Sequence, residues 1–339
     1  MKPTKFAKYL TDYLTVYLPK ERGYSINTIK SYRDNMMLFL IFMRNKHHVG
    51  ADKIDFKDIT QERIIEYLDW LEYERSNSVS TRNSRLSSLH AFFRFMLYRS
   101  PEHLHEWHRI LAIKVKRTSN ANVVYLSSEG IKLLLEQPDA TKTKGRRDLA
   151  LLSLMYESAA RVQEIADLTP SKVHFGKPAT LKITGKGNKT RIVPISEQGA
   201  KLLRKYMEEK GLLNDWANEQ PLFDNGQEGK LSRMSISNIV KKYADIARNL
   251  NRSVVPEGVS PHSLRHSKAM MLQESGINLI YIRDFLGHSS VTTTEIYARI
   301  SQRQKIEAIE KTSLSPNPDK LPIWQKNKGL LQWLEKLGK

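Results

Sequence analysis

Apolar residues recur at helical spacing through about the first 115 positions. Lys5 to Leu18 reads as an amphipathic helix. Ser25 or Asn27 can cap a second helix, which runs through Tyr32, Met36, Leu40 and Phe42. Such side chains accept from the unpaired N–H groups of a first turn. Asp58 to Thr60 can start a third, with Ile64, Ile65, Tyr67, Leu68 and Leu71 in register. Ser80 or Thr81 can start a fourth, with Leu86, Leu89, Phe92, Phe93 and Met96 on its apolar face. The same helix carries Arg82, Arg85, Arg94 and Arg99, either a solvated face or one that meets phosphates. Pro101 closes this block.

Positions 113–122 (IKVKRTSNAN) are polar and basic, without a core pattern. They read as a linker able to lie along a polyanion. The pattern resumes near Val123. Ser127 or Ser128 starts a helix through Leu133 and Leu135, and Arg146 to Ala160 forms a strongly apolar one. The period then switches. Thr180 to Thr184 and Arg191 to Ile195 flank Gly185-Lys186-Gly187-Asn188-Lys189, the signature of a hairpin. Helical spacing returns at 200–209, 235–250, 263–275, 280–285 and 292–300. The segment 312–339 has a Pro-containing spacer, then Leu330, Leu331, Trp333, Leu334 and Leu337 on a short amphipathic helix. Its apolar face needs a groove, on its own body or on a neighbouring subunit. The expected fold is mainly α with a small β-sheet. Its parts are a helical domain 1–112, a basic linker 113–122, a mixed α/β domain 123–311 and a tail 312–339.

Length and composition agree with this plan. At roughly 150 residues per domain, 339 residues make about two. No run approaches the roughly 18 apolar residues of a membrane span. The first twenty residues mix Lys, Asp and aromatics, unlike a secretory signal. There are no cysteines, which excludes disulfides, thiolate metal sites and a cysteine nucleophile. The expected location is cytoplasmic. The charge is more telling. Residues 1–120 hold 21 basic and 13 acidic side chains, the remainder 34 and 23. Both halves share the net +19, so it is not the property of a tail. A basic folded body suggests a polyanionic partner, nucleic acid first. A ribosomal-type or merely soluble basic protein has the same balance.

Five pieces of the second half carry chemistry. Arg161 ends an apolar helix in SAARVQEIADL; it either pairs with Glu164 or awaits an anion. Lys186 sits at the hairpin tip in TGKGNKTR, where glycines allow a tight turn and close approach. This is no Walker loop, because Asn188 follows Gly187. In His262-Ser263-Leu264-Arg265-His266, His262 and Arg265 lie at i, i+3 on one helical face. A zinc pair from His262 and His266 lacks the glutamate of such sites and has a cation beside it. Anion binding by the Arg265 fork fits better. His288 follows Gly287, which ends a helix, and Tyr297 stands nine residues on in TTTEIYARI. Each piece alone has an ordinary structural reading. Together, two Arg, one Lys, two His and one Tyr are the groups that break a phosphodiester without a metal.

These motifs, in this order, resemble the tyrosine recombinases, the phage-integrase and Xer-like enzymes, over about 123–310. The helical N-terminal region resembles that family's core-binding DNA-binding domain by general pattern. The resemblance implies a site-specific DNA recombinase or integrase with Arg161, Lys186, His262, Arg265, His288 and Tyr297 as catalytic residues, Glu164 supporting them. It implies a 3′-phosphotyrosyl link, a Holliday junction, and no metal, cofactor or ATP. The implied partners are double-stranded DNA, a homo-tetramer on paired DNA sites, and a neighbouring protomer that receives the C-terminal helix. It leaves room for an accessory DNA-bending protein. One departure is Ala159-Ala160, where the family often has Gly-Leu. A non-catalytic DNA-binding protein would lack the covalent complex. A type IB topoisomerase shares the tyrosine chemistry but acts as a monomer. The six-residue set and the tethered tail favour the recombinase.

Overall fold

The computed structural model describes residues 3–118, 123–227 and 229–288, the single positions 290, 294, 297, 329 and 334, and the backbone but not the side chain of Lys186. The chain divides into two units, Met1–Ala121 and Asn122–Lys339.

In the first unit, Thr4 caps α1 (Lys5–Asp12), which runs on as a wider π-type segment, Tyr13–Glu21. Pro19 lies in that segment and has no N–H to give the helical ladder. Ser25, rather than Asn27, caps α2 (Ile26–His47), and Thr60 caps α3 (Gln61–Asp69). The fourth helix, α4 (Val79–Arg99), begins earlier than the pattern suggests. The Ser78 hydroxyl accepts from Thr81 N at 3.2 Å and draws Ser80 and Thr81 into the first turn. Reading Pro101 as the end of the block also misses α5 (Leu104–Leu111), where Trp107 and Ile110 are fully buried.

The core of this unit is aromatic. Phe92 meets Tyr13 at 5.2 Å, Phe93 at 5.4 Å and Phe6 at 5.9 Å, ring edges against ring faces. Such pairs add about 0.5–1.5 kcal/mol each beyond their buried area. The arginines of α4 part company here. Arg82 is buried against Glu72, and Arg99 pairs with Asp12 and Glu21. Arg85 and Arg94 pair with no carboxylate among the described residues, and Arg85 lines a small cleft with Ser31, Thr81, Ser84 and Ser88. The basic stretch after α5 is tied down where it begins. The Asn83 amide donates to Lys116 O at 2.8 Å and accepts from Lys116 N at 3.1 Å. Residues 119–122 lie outside the described residues.

In the second unit Ser127 caps α6 (Ser128–Leu135). There follow α7 (Thr143–Ser158), a short α8 (Val162–Ala166), and three strands, β1 (Val173–His174), β2 (Thr180–Thr184) and β3 (Thr190–Pro194). Then come α9 (Glu197–Glu209), α10 (Arg233–Leu250), α11 (Pro261–Glu274) and α12 (Leu279–Leu286). The sheet is antiparallel in the order β1-β2-β3, with Thr184 opposite Thr190. Five residues therefore close the expected hairpin. Gly187 (φ 74°) and Asn188 (φ 58°) turn it in the left-handed region, where these two residue types go most readily. Leu151, Leu152 and Met155 of α7 share one core with Leu181, Ile183 and Val193 of the sheet and Ile236 and Val240 of α10. A smaller cluster joins Ala159, Ala269, Met270, Ile282 and Leu286 to Tyr297. The helices expected at 292–300 and 330–337 lie outside the described residues, apart from Thr294, Tyr297 and Leu334. Among the described residues no helix is long and apolar enough to cross a membrane.

Candidate active site

The site is organised by one short helix end. The last carbonyls of a helix have no partner within it and carry the negative end of its dipole. At the end of α12 (its last two residues and the capping Gly287) three successive carbonyls each receive a different arginine. Arg191 Nε donates to Phe285 O at 3.0 Å, Arg265 Nη2 to Leu286 O at 2.6 Å, and Arg161 Nη2 to Gly287 O at 3.2 Å. Gly287 (φ 65°) turns the chain there, and His288 N donates back to Arg283 O at 3.0 Å.

Arg161 arrives through a sharp stop. α7 ends at Ser158, and Ala159 takes a left-handed conformation at φ 46°. Glycine adopts that region at no steric cost, whereas alanine does not. Arg161 then starts α8. Glu164 reaches back to accept from Arg161 N at 2.8 Å and from Arg161 Nη1 at 2.8 Å. It also takes a two-pronged contact from Arg191, with Nη1 at 3.1 Å and Nη2 at 2.8 Å. Burial pushes the Glu164 carboxyl up. Arg191 and the Arg161 backbone N–H outweigh it and hold the pKa below the usual range. The carboxylate therefore stays charged and fixes both guanidinium groups.

Arg265 is treated differently. It is 3% exposed and, among the described residues, donates only to backbone oxygens, Ala159 O at 2.5 Å and Leu286 O at 2.6 Å. Burial, then the charge of Arg161, lower its pKa to about 10, against the opposing pull of Glu164 and Tyr297. No carboxylate touches it among the described residues. A buried cation of this kind is stabilised by an incoming anion.

His288 Nδ1 meets Thr294 Oγ1 at 3.0 Å. Burial, then Arg265 and Arg161, lower its pKa to about 4, so the ring is neutral at neutral pH. His262 keeps an exposed edge; partial desolvation and then the Arg265 and Arg161 charges lower its pKa. Tyr297 is buried, and its hydroxyl meets His266 Nδ1 at 2.9 Å. Burial raises its pKa while Arg265 opposes the rise. Arg161, Gly185, Lys189, Arg191, Gly287 and His288 line a cleft of about 500 Å³. The Lys186 side chain lies outside the described residues; its backbone stands at the hairpin tip beside this cleft.

The structure thus brings Arg161, Arg265, His262, His288 and Tyr297 into one region. Arg191 and His266 belong to that region as well, and the sequence did not single them out for it. Strand alternation was a usable sign for Arg191. It shares the inward face of β3 with Val193, while Ile192 points to solvent at 70% exposed, and an inward arginine needs an acceptor. No sequence sign marked His266 beyond its helical spacing from His262. A second cleft, of about 520 Å³, opens beside Arg147 and Lys210. Two of its cations are already neutralised, Arg147 by Asp148 and Lys210 by Asp224, and Lys144 also lines it.

The fold is shared with solved DNA-bound integrases and recombinases. The Tn1549 transposon integrase, solved with transposon right-end DNA, superposes with a TM-score of 0.68 at 15% identity, over 88% of this chain and 98% of that one. XerH, solved bound to its difH substrate, gives 0.66 at 22% identity over 85% and 81%. The tyrosine recombinase XerC of Syntrophus aciditrophicus is 31% identical over 84% of this chain and 91% of its own length. XerD of Staphylococcus epidermidis is 31% identical over 87% and 95%. The phage integrase family matches residues 125–304, and the N-terminal SAM-like domain of phage integrases matches 10–100. The chain belongs to the phage integrase family. It is a tyrosine-type site-specific recombinase, an enzyme that cuts and rejoins DNA strands.

Proposed function

We propose that Tyr297 attacks a DNA backbone phosphate held between Arg161 and Arg265. One observation carries the reading: the two guanidinium groups dock on adjacent carbonyls, Gly287 and Leu286, with His288 next along the chain and the Tyr297 phenol within the electrostatic reach of Arg265. A bond forms from the phenol oxygen to phosphorus as the bond to the 5′ oxygen breaks. The products are a 3′-phosphotyrosyl link and a free 5′-hydroxyl.

The arginines neutralise charge that grows on the non-bridging oxygens, the largest contribution in such sites. Lys186, on the hairpin, protonates the departing oxygen, and His262 and His288 donate hydrogen bonds or move protons. The 5′-hydroxyl of a partner duplex then attacks the phosphotyrosine. Each bond broken is replaced by one of the same kind, so ATP is not consumed, and no step calls for a metal ion. Four protomers on paired DNA sites pass through a Holliday junction. The tail 312–339 docks head-to-tail on the next protomer, a contact that can close a ring. An accessory DNA-bending protein can join the assembly.

The test uses a nicked duplex that carries the DNA beside the encoding gene and loses its 5′ fragment on cleavage. Wild-type protein should yield a denaturant-resistant adduct on Tyr297. Tyr297→Phe should bind the duplex equally well and yield none. An adduct formed by the Phe variant would show that the nucleophile is another residue.

A further inference from the structure

We propose that His266 is a further catalytic residue of this site: its Nδ1 takes the phenol proton as the Tyr297 oxygen attacks phosphorus. The inference rests on the reading of Tyr297 as nucleophile. Among the described residues His266 is the ring that touches the phenol, with Nδ1 at 2.9 Å and ring centroids 5.7 Å apart. That is the reach a general base needs. The other two histidines are placed otherwise. His288 spends its Nδ1 on Thr294, and His262 stands on the exposed side, its ring centroid 6.2 Å from that of His266.

The need for an acceptor follows from burial. Tyr297 is 1% exposed, and a buried phenol ionises less readily than a solvated one. His266 has a lone pair to offer. Burial first, then His262 and Arg265, lower its pKa to about 4, so its ring is neutral at neutral pH. The groups that act on it are His262 and Arg265 from α11, Tyr297, and His288, whose own pKa feels His266. Among the described residues only cations and neutral rings act on it, so an imidazolium is disfavoured and the phenol keeps its proton. A phosphate anion between the arginines offsets their charge and lowers the cost of an imidazolium there. Proton transfer is thereby tied to the arrival of DNA. The proton goes from the phenol oxygen to Nδ1, the O–P bond forms, and the 5′ oxygen leaves with a proton from Lys186. In the return step the imidazolium gives the proton back to the departing phenolate.

Two substitutions and one spectrum test this. His266→Phe removes the acceptor. His266→Asn places an amide oxygen near the Nδ1 position, which accepts a hydrogen bond but takes no proton. On the nicked duplex both should bind DNA as wild type does, and both should form the Tyr297 adduct about 10²-fold or more slowly, the usual worth of such a base. An Asn variant that cleaves within a few-fold of wild type would reduce His266 to a holder of the ring and overturn the proposal. In the DNA-free protein, the ¹⁵N spectrum should show a bare Nδ1 and a protonated Nε2 on His266, with the Nδ1 signal moving in Tyr297→Phe. Hydrogen found on Nδ1 would likewise overturn it, since that nitrogen would donate to the phenol. The two readings fail separately. An adduct in Tyr297→Phe defeats the nucleophile assignment, whereas a Tyr297 adduct formed rapidly by His266→Asn defeats this inference alone.

Discussion

Two arginines of the second unit are both withdrawn from water and are satisfied in opposite ways. Arg147 lies in the core, where its Nε and Nη2 donate to Asp148 Oδ1 at 3.1 and 2.8 Å, its Nη1 donates to Asp224 O, and Tyr243 donates to the far oxygen of Asp148. Its charge is cancelled inside the protein. Among the described residues Arg265 has carbonyls only, and they orient the fork without neutralising it. The first arrangement is complete in itself. The second is complete only when an anion arrives, and it lies in the region that holds Tyr297. The difference separates an ion pair that holds a fold from a cation prepared for a substrate.

The comparison can be broken by a paired substitution. Arg147→Met strands the Asp148 carboxylate in the core and should cost about 3–5 kcal/mol of stability. Its folded fraction should still cleave DNA. Arg265→Met should cost little stability, or even raise the melting temperature, because it removes a buried charge that no carboxylate contacts among the described residues. It should lower the rate of covalent capture by about 10²–10³-fold, the usual loss for one donor to a developing oxyanion. Thermal melts and single-turnover capture measure both. Equal destabilisation by the two variants would erase the distinction.

A smaller effect comes from pH. His266 and His288 have pKa values near 4 in the fold and 6.5 when unfolded. The unfolded chain therefore binds more protons between those values, and stability is lost as the pH falls from about 6.5 towards 4. A His266→Asn, His288→Asn double variant should flatten that slope in melts taken across the range. Glu164, held below its ordinary value, adds its own loss only when the pH reaches the carboxylate range.

The mildest test touches only backbone. Ala159→Gly relieves a left-handed residue, a strain of roughly 1–2 kcal/mol. It also gives up a buried methyl worth about 0.8 kcal/mol. A net gain of less than about 1 kcal/mol is expected, with cleavage unchanged, because the carbonyl that orients Arg265 stays in place. Loss of cleavage in this variant would mean that the tight turn does more than carry that carbonyl.

The sequence by itself determined most helices among the described residues and the hairpin, and it singled out six candidate residues. Period 3.6 against period 2, capping hydroxyls and turn glycines are local signals, and each side chain of the set belongs to a short motif. It did not yield α5, which follows a proline read as the end of the block, or α8, with only five residues, nor the start of α4, where Ser78 outcompeted two equally plausible caps. Only the tertiary structure decided that three arginines would meet one helix end, that Arg191 would share Glu164 with Arg161, and that His266 would hold the Tyr297 hydroxyl. The reason is physical. A guanidinium or an imidazole takes whichever acceptor the packing of distant elements brings within about 3 Å, and neither spacing nor composition records which one that is.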